Sequence, residues 1–246
     1  MLRELSINKM KWIRTLHAKK GRENEGLYLL EGEKMVLEAI KLIPDQIHTL
    51  LFLEKYKNPG SHLSCEQYWC TDKQLNQIST LKTPNKLVAV LKMTDSQKAN
   101  LKGLVLALDG IQDPGNLGTI MRIADWFGIQ EIICSPDTVD CYNPKVVQAS
   151  MGAILRVQVS YHNLDTIFKS YSGRIYGAYL DGNSIYQESL SEEGIILLGN
   201  EGKGIRKENE SYVTDRIHIP SFGAAESLNV SVAAGIIASE FRRRFN

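Results

Sequence analysis

From Leu104 onward the sequence repeats one pattern: short unbroken apolar runs separated by longer segments with helical spacing. The runs at 104–108, 131–134, 155–159, 175–180, 195–199 and 216–219 read as strands. Segments 117–126, 145–151 and 164–171, with a long last helix from Ser227, read as helices. A strand that is apolar at every position has no face to offer water, so both faces must be covered. Helical crossovers between such strands fit parallel pairing. The pattern therefore predicts an α/β fold built on a parallel sheet with helices on both sides.

The preceding residues form a smaller α/β unit. Ile7, Met10, Ile13, Leu16 and His17 set helical spacing over 6–19, and strands are expected at 26–30, 47–52 and 87–91. Helices are expected at 34–42, ending before Pro44, and at 72–79. A polar stretch, Lys92-Met93-Thr94-Asp95-Ser96-Gln97-Lys98-Ala99-Asn100, reads as a linker. These signals divide the chain into 1–93, a linker at 94–102, and 103–246.

Several function classes lose support at this level. No apolar run approaches the ~18 residues of a membrane helix, and Met1-Leu2-Arg3-Glu4-Leu5-Ser6 lacks a signal-peptide core. A cytoplasmic location is the expectation, with no membrane partner. Cys65, Cys70, Cys134 and Cys141 show no Cys-x-x-Cys, and the five histidines are scattered. Structural thiols and no metal are expected. The net charge of +1 conceals an asymmetry: 16 Lys/Arg against 11 Asp/Glu up to Asn100, then 13 against 17. Lys9, Lys11, Arg14, Lys19, Lys20 and Arg22 crowd the first helix and its loop, a cationic surface suited to phosphates.

Three loops fall just beyond expected strand ends, where open α/β sheets place ligands. The first is Leu108-Asp109-Gly110-Ile111-Gln112-Asp113-Pro114-Gly115-Asn116, with Arg122 six residues further along the next helix. The second is Leu198-Gly199-Asn200-Glu201-Gly202-Lys203-Gly204-Ile205. The third is Ile219-Pro220-Ser221-Phe222-Gly223-Ala224-Ala225-Glu226-Ser227-Leu228-Asn229-Val230-Ser231. Ser227, Asn229 and Ser231 crowd the start of the last helix, where one capping residue would suffice. The second loop lacks Walker spacing, and it fails Gly-x-Gly-x-x-Gly because Lys207 stands where the third glycine belongs. Without a Gly-x-Ser-x-Gly elbow, a serine hydrolase is also poorly supported.

Taken in order, the three loops resemble the signature of the SpoU/TrmH family of RNA ribose methyltransferases, from about Leu104 to the end. The front unit, with its Leu29-Leu30-Glu31-Gly32 turn, resembles the RNA-binding substrate domain often joined to that family. The resemblance implies a SPOUT domain with a deep trefoil knot, a homodimer, S-adenosylmethionine as methyl donor, and structured RNA as substrate. It assigns catalysis to Arg122, Asn116, Ser227, Asn229 and Glu201. It assigns cofactor contacts, largely through the main chain, to Leu198, Gly199, Asn200, Gly202, Ile219 and Leu228. The Tyr179-Leu180-Asp181-Gly182 strand end would add a wall. Asn116 could hold RNA or simply shape its turn. For Glu201, organising the cofactor loop stands ahead of direct chemistry, because a carboxylate beside RNA needs a cationic partner. Phe222 and Trp126-Phe127 are bulkier than the usual pattern, but no polar site residue is missing. By analogy, large-subunit 23S rRNA is the first expected substrate and transfer RNA the second. A non-catalytic RNA-binding or ribosome-assembly protein is the alternative, and base methylation a third possibility.

Overall fold

The computed structural model describes residues 2–94 and 98–245, which form two compact units. Part of the expected linker, 95–97, lies outside the described residues. The first unit runs β1 (Leu2–Glu4), α1 (Ile7–Thr15), α2 (Lys19–Glu25), β2 (Leu27–Glu31), α3 (Glu33–Leu42), β3 (Ile47–Leu53), β4 (Glu66–Cys70), α4 (Asp72–Ile78) and β5 (Leu87–Lys92). Its five strands are ordered β1-β4-β3-β5-β2, with β4 parallel to both β1 and β3, and β5 antiparallel to β3 and β2. The period-2 alternation of side chains splits its core in two. Leu27, Leu29, Val88 and Val90 face α1 residues Met10 and Ile13, while Tyr28, Leu30, Leu87, Ala89 and Leu91 face α3 residues Met35, Val36, Ala39 and Ile40.

The second unit contains β6 (Leu104–Asp109), α5 (Pro114–Trp126) and β7 (Glu131–Cys134). After α6 (Pro144–Ser150), it continues with β8 (Gln158–Tyr161), α7 (Leu164–Ser170), β9 (Ile175–Ser184), β10 (Gly194–Gly199), α8 (Lys207–Glu210), β11 (Asp215–His218) and α9 (Val230–Arg244). Its six strands are all parallel, in the order β11-β9-β10-β6-β7-β8. The apolar runs of β6 and β10 are fully covered, as their composition demands. On one face Val105, Ala107, Ile195 and Leu197 meet Leu164 and Phe168 of α7. Elsewhere α9 packs along α5, with Gly235 against Ile123, and its Val230, Ala234, Ile237, Ala238 and Phe241 form a buried helical stripe of small and large residues. Phe241 also meets Tyr176 of β9 edge-on at 4.9 Å between ring centroids.

The strand order explains where a site can form. From β6 the chain steps outward to β7 and β8, then crosses back and lays β10 against the other side of β6. The ends of β6 and β10 therefore flank a switch point, the place where loops diverge and leave a crevice. Their register sets Gly199 opposite Asp109.

Several local expectations need correction. The first helix is two helices, because the chain turns at Leu16–Ala18 before α2 starts. Both β1 and β4 escape a periodicity reading, since they are short and carry polar residues. The strand expected at 155–159 lies later, at Gln158–Tyr161, behind a 3-10 turn at Ala153–Leu155. Finally, Tyr142–Leu155, including α6, groups with the first unit: Val147 joins its core and Tyr142 packs 4.6 Å from Tyr28.

Candidate functional site

The loop after β6 is shaped by Gly110, whose φ of 77° lies in the left-handed region that favours glycine. Asp113 then caps α5 by accepting from the Asn116 N–H at 2.9 Å, and Pro114 takes the first helical position. Asn116 consequently sits in the first turn of α5. The loop after β10 folds back on itself: Asn200 and Gly204 exchange backbone hydrogen bonds of 3.0 and 2.9 Å. A Cβ at Gly199 would stand 2.2 Å from the Gly204 carbonyl carbon, so that fold-back requires glycine. The Asn200 carboxamide braces it, with Oδ1 accepting from the Gly202 and Lys203 N–H groups and Nδ2 donating to the Gly110 carbonyl at 2.7 Å.

The third loop is different. Residues 221–229 are all exposed, Phe222 at 98 % and Leu228 at 48 %. Helix α9 begins at Val230, not at Ser227 as the sequence suggests, and Asn229 is its cap. The Asn229 Oδ1 accepts from the Ser231 N–H at 2.9 Å and from the Ser231 hydroxyl at 2.6 Å.

These three loops meet through one hydrogen-bonded chain. Asn229 Nδ2 donates to Asn116 Oδ1 at 2.9 Å, and Asn116 Nδ2 donates to Glu201 Oε1 at 2.6 Å. Both ends fix its polarity. The Ser231 N–H can only donate, and the Glu201 carboxylate, when ionised, can only accept. Both carboxamides are therefore oriented, each with an N–H left over. The partner Glu201 finds here is an amide.

Two of the five expected catalytic residues stay outside this chain. Arg122 lies in the middle of α5, exposed, with no hydrogen-bond or ion-pair partner among the described residues. Ser227 is exposed in the third loop. Of the expected cofactor residues, the Leu198 side chain is buried in the core, which leaves only its main chain for a ligand. At the rim, nothing lies within 4 Å of where a Cβ would stand at Gly204 or Gly223.

Beneath the loops lies a charged group that sequence reading missed. Asp109, fully buried, ends β6 and accepts from the Arg206 N–H and from Asn209 Nδ2, each at 2.9 Å. The Arg206 guanidinium also pairs with Asp137, and this hydrogen bond holds the Asp137 carboxyl below its usual range. An acidic residue closing an all-apolar strand was the available signal. Among the described residues no cluster of His, Cys, Asp or Glu could hold a metal ion.

The basic surface of the first unit is smaller than its sequence implies. Lys11, Arg14, Lys19 and Lys20 are exposed, Lys19 standing 3.7 Å from Glu23. Lys9 is engaged, paired with Glu66 at 2.6 Å and lying 3.8 Å above the Trp12 ring. Arg22 is no RNA ligand. It is 2 % exposed and donates to the Leu16 and His17 carbonyls, where its charge caps the end of α1.

Known families resemble both parts of the chain. The SpoU rRNA Methylase family pattern matches residues 103–239, and that of the MRM3-like substrate binding domain matches 8–89. The 23S rRNA (guanosine(2553)-2'-O)-methyltransferase RlmP of Bacillus subtilis is 31% identical over 95% of this chain and 96% of its own length. Among solved structures, a TrmH-family protein from Porphyromonas gingivalis is 38% identical, superposes with a TM-score of 0.88, and matches 98% of this chain and 99% of its own. An AdoMet-bound rRNA methyltransferase from Sinorhizobium meliloti, 26% identical, also reaches 0.88 over 100% and 99%.

Proposed function

This chain belongs to the SpoU rRNA methylase family, and from that premise we propose that it methylates a ribose 2′-hydroxyl of 23S ribosomal RNA, using S-adenosylmethionine. Transfer RNA is the second substrate class. The observation that carries the reading is the chain from Asn229 through Asn116 to Glu201, which unites all three loops at the switch point.

S-adenosylmethionine supplies an activated methyl group on a sulfonium. The protein's part is to place the hydroxyl in line and manage its proton. Main-chain groups at Leu198–Gly202, Ile219 and Leu228 would hold the cofactor, with Asn200 keeping their loop in shape. A guanidinium has donors and no acceptor, so Arg122 is not cast as a literal base. Unpaired and exposed, it is free to bind an RNA phosphate and stabilise negative charge growing on the 2′-oxygen. The spare N–H groups of Asn116 and Asn229 orient substrate, Glu201 holds both carboxamides in place, and Ser227 adds a hydroxyl beside them. A phosphate oxygen or water takes the proton. Lys11, Arg14, Lys19 and Lys20 give the first unit an RNA-facing surface.

The reading extends to a homodimer, a deep trefoil knot and a cytoplasmic place of work. The exposed Trp126, at 85 %, and Phe222 support a covered face between two copies. Family membership supports the knot. Sedimentation of the purified protein tests the dimer.

The central test uses purified full-length protein, methyl-tritiated S-adenosylmethionine and ribosomal RNA from cells lacking the gene. Nuclease digestion and nucleoside analysis should recover label as a 2′-O-methyl nucleoside from one 23S site. Label on a base would refute ribose chemistry. Cofactor or RNA binding with no transfer to ribosomal or transfer RNA would leave a binding protein.

A further inference from the structure

Arg206 reaches across the ends of three neighbouring strands. Its backbone follows the loop after β10, its N–H binds Asp109 at the end of β6, and its guanidinium pairs with Asp137 beyond β7. The Asp109 Oδ1 accepts no hydrogen bond and has Arg206 Nε 3.4 Å away. Asp137 is itself tied down, because Ser135 donates to it at 2.8 Å while accepting from the Gly110 N–H at 2.8 Å. Gly110 leaves the space that the guanidinium fills: a Cβ there would stand 2.9 Å from Arg206 Nη2.

Burying a carboxylate is costly, and apolar packing often stabilises a core as well as an ion pair does. What the ionic bridge adds is direction: the guanidinium is hydrogen-bonded to Asp137 while the Arg206 backbone N–H holds Asp109, so one residue ties both carboxylates. The segments fixed here are the far end of the Glu201 loop and the near end of the Asn116 loop. Their side chains meet at 2.6 Å.

We propose that Arg206 is a positioning residue for methyl transfer: the Asp109–Arg206–Asp137 bridge sets the reach from Glu201 to Asn116 and, through it, the aim of Asn229. The inference rests on the methyl-transfer reading. Lysine at this position keeps the charge but loses the fork.

The test measures single-turnover methylation of ribosomal RNA from cells lacking the gene, with melting followed in parallel. Arg206→Lys should lower the rate on the order of 10- to 100-fold, the scale of a small misplacement in a site, while KM for RNA holds. Asp137→Asn, which keeps the buried Asp109 contacts, should fold normally and lose less in the same direction. The decisive measurement is coupling. In a Glu201→Gln background, Arg206→Lys should cause no further loss, because the two act through one chain. Losses that multiply would assign Arg206 a general structural role and overturn the proposal, as would wild-type rates in both Arg206→Lys and Asp137→Asn. If Arg206→Lys does not fold, Asp137→Asn and its double variant with Glu201→Gln decide by the same criteria. A wild-type protein that transfers no methyl would overturn the reaction itself, and this role with it.

Discussion

The two sides of the site are built in opposite ways. On one side the loops after β6 and β10 are laced together by Asp109, Arg206, Asp137 and the Asn200 carboxamide. On the other, residues 221–228 are exposed, and among the described residues their one side-chain hydrogen bond is a long contact from Ser221 to the Gly223 carbonyl at 3.4 Å. Asn229 ties this open side to the laced one. A laced wall suits groups that must stand at fixed distances in a transition state. An open loop with exposed apolar residues suits surface that is buried only when a ligand or partner arrives.

The sharpest test of the contrast is Arg122, which rises from the laced side yet has no partner of its own. Arg122→Ala should reduce turnover by about 10²- to 10³-fold, the usual loss when a charge-stabilising donor is removed, and leave the melting temperature unchanged. A large drop in melting temperature would show that Arg122 belongs to the structural lacing after all.

Asn229→Ala cuts the tie between the two sides. It should slow turnover strongly and, because Asn229 also caps α9, destabilise the protein by about 1 kcal/mol. Aspartate there would keep a cap but lose the donor to Asn116, so it should restore stability and not rate. Recovery of both in chemical denaturation and kinetic assays would mean that capping is the residue's only task.

Phe222→Ala probes the open side alone. At 98 % exposure it contributes little to the folded chain, so stability should hold. Apparent cofactor affinity or dimer affinity should weaken a few-fold, in line with lost apolar burial. An isothermal titration and a sedimentation profile identical to wild type would remove the assigned use of this surface.

The smallest effect concerns acid. Arg206 holds the Asp137 carboxyl below its usual range. A lowered folded value stabilises the protein above the unfolded carboxylate value of about 3.9 and is lost as pH falls through the folded one. Asp137→Asn should therefore melt slightly below wild type at neutral pH, and the gap should close in acid. A gap that widens on acidification would reverse the sign and exclude the pairing.

Much of this architecture was legible. The apolar runs of β6 and β10 could only be covered strands, and Asp113-Pro114 before α5 announces a helix start. The three loops were legible too, as polar and glycine-rich breaks after strands. Less visible were β1 and β4, whose Leu2-Arg3-Glu4 and Glu66-Gln67-Tyr68-Trp69-Cys70 lack an apolar pattern; β4 becomes a strand by pairing with β3, and β1 by pairing with β4. Tyr142–Leu155 reads as part of the second unit by position, yet Val147 and Tyr142 complete the core of the first. Sequence order cannot reveal which core a short helix joins.

The sequence by itself determined the class of fold, the ends of its main strands and the three polar loops in their order. Each depends on side chains a few positions apart, and spacing along a helix or strand translates directly into a face or a cap. Tertiary structure decided the rest. It buried Arg22, which stands among polar residues in the sequence, and left Arg122 free, although Met121 and Ile123 flank it. It joined Asn116 to Glu201 across 85 residues and to Asn229 across 113. Contacts over such separations depend on the register of β10 on β6 and the seating of α9 on α5. Those are set by the packing of the whole unit, which no local pattern encodes.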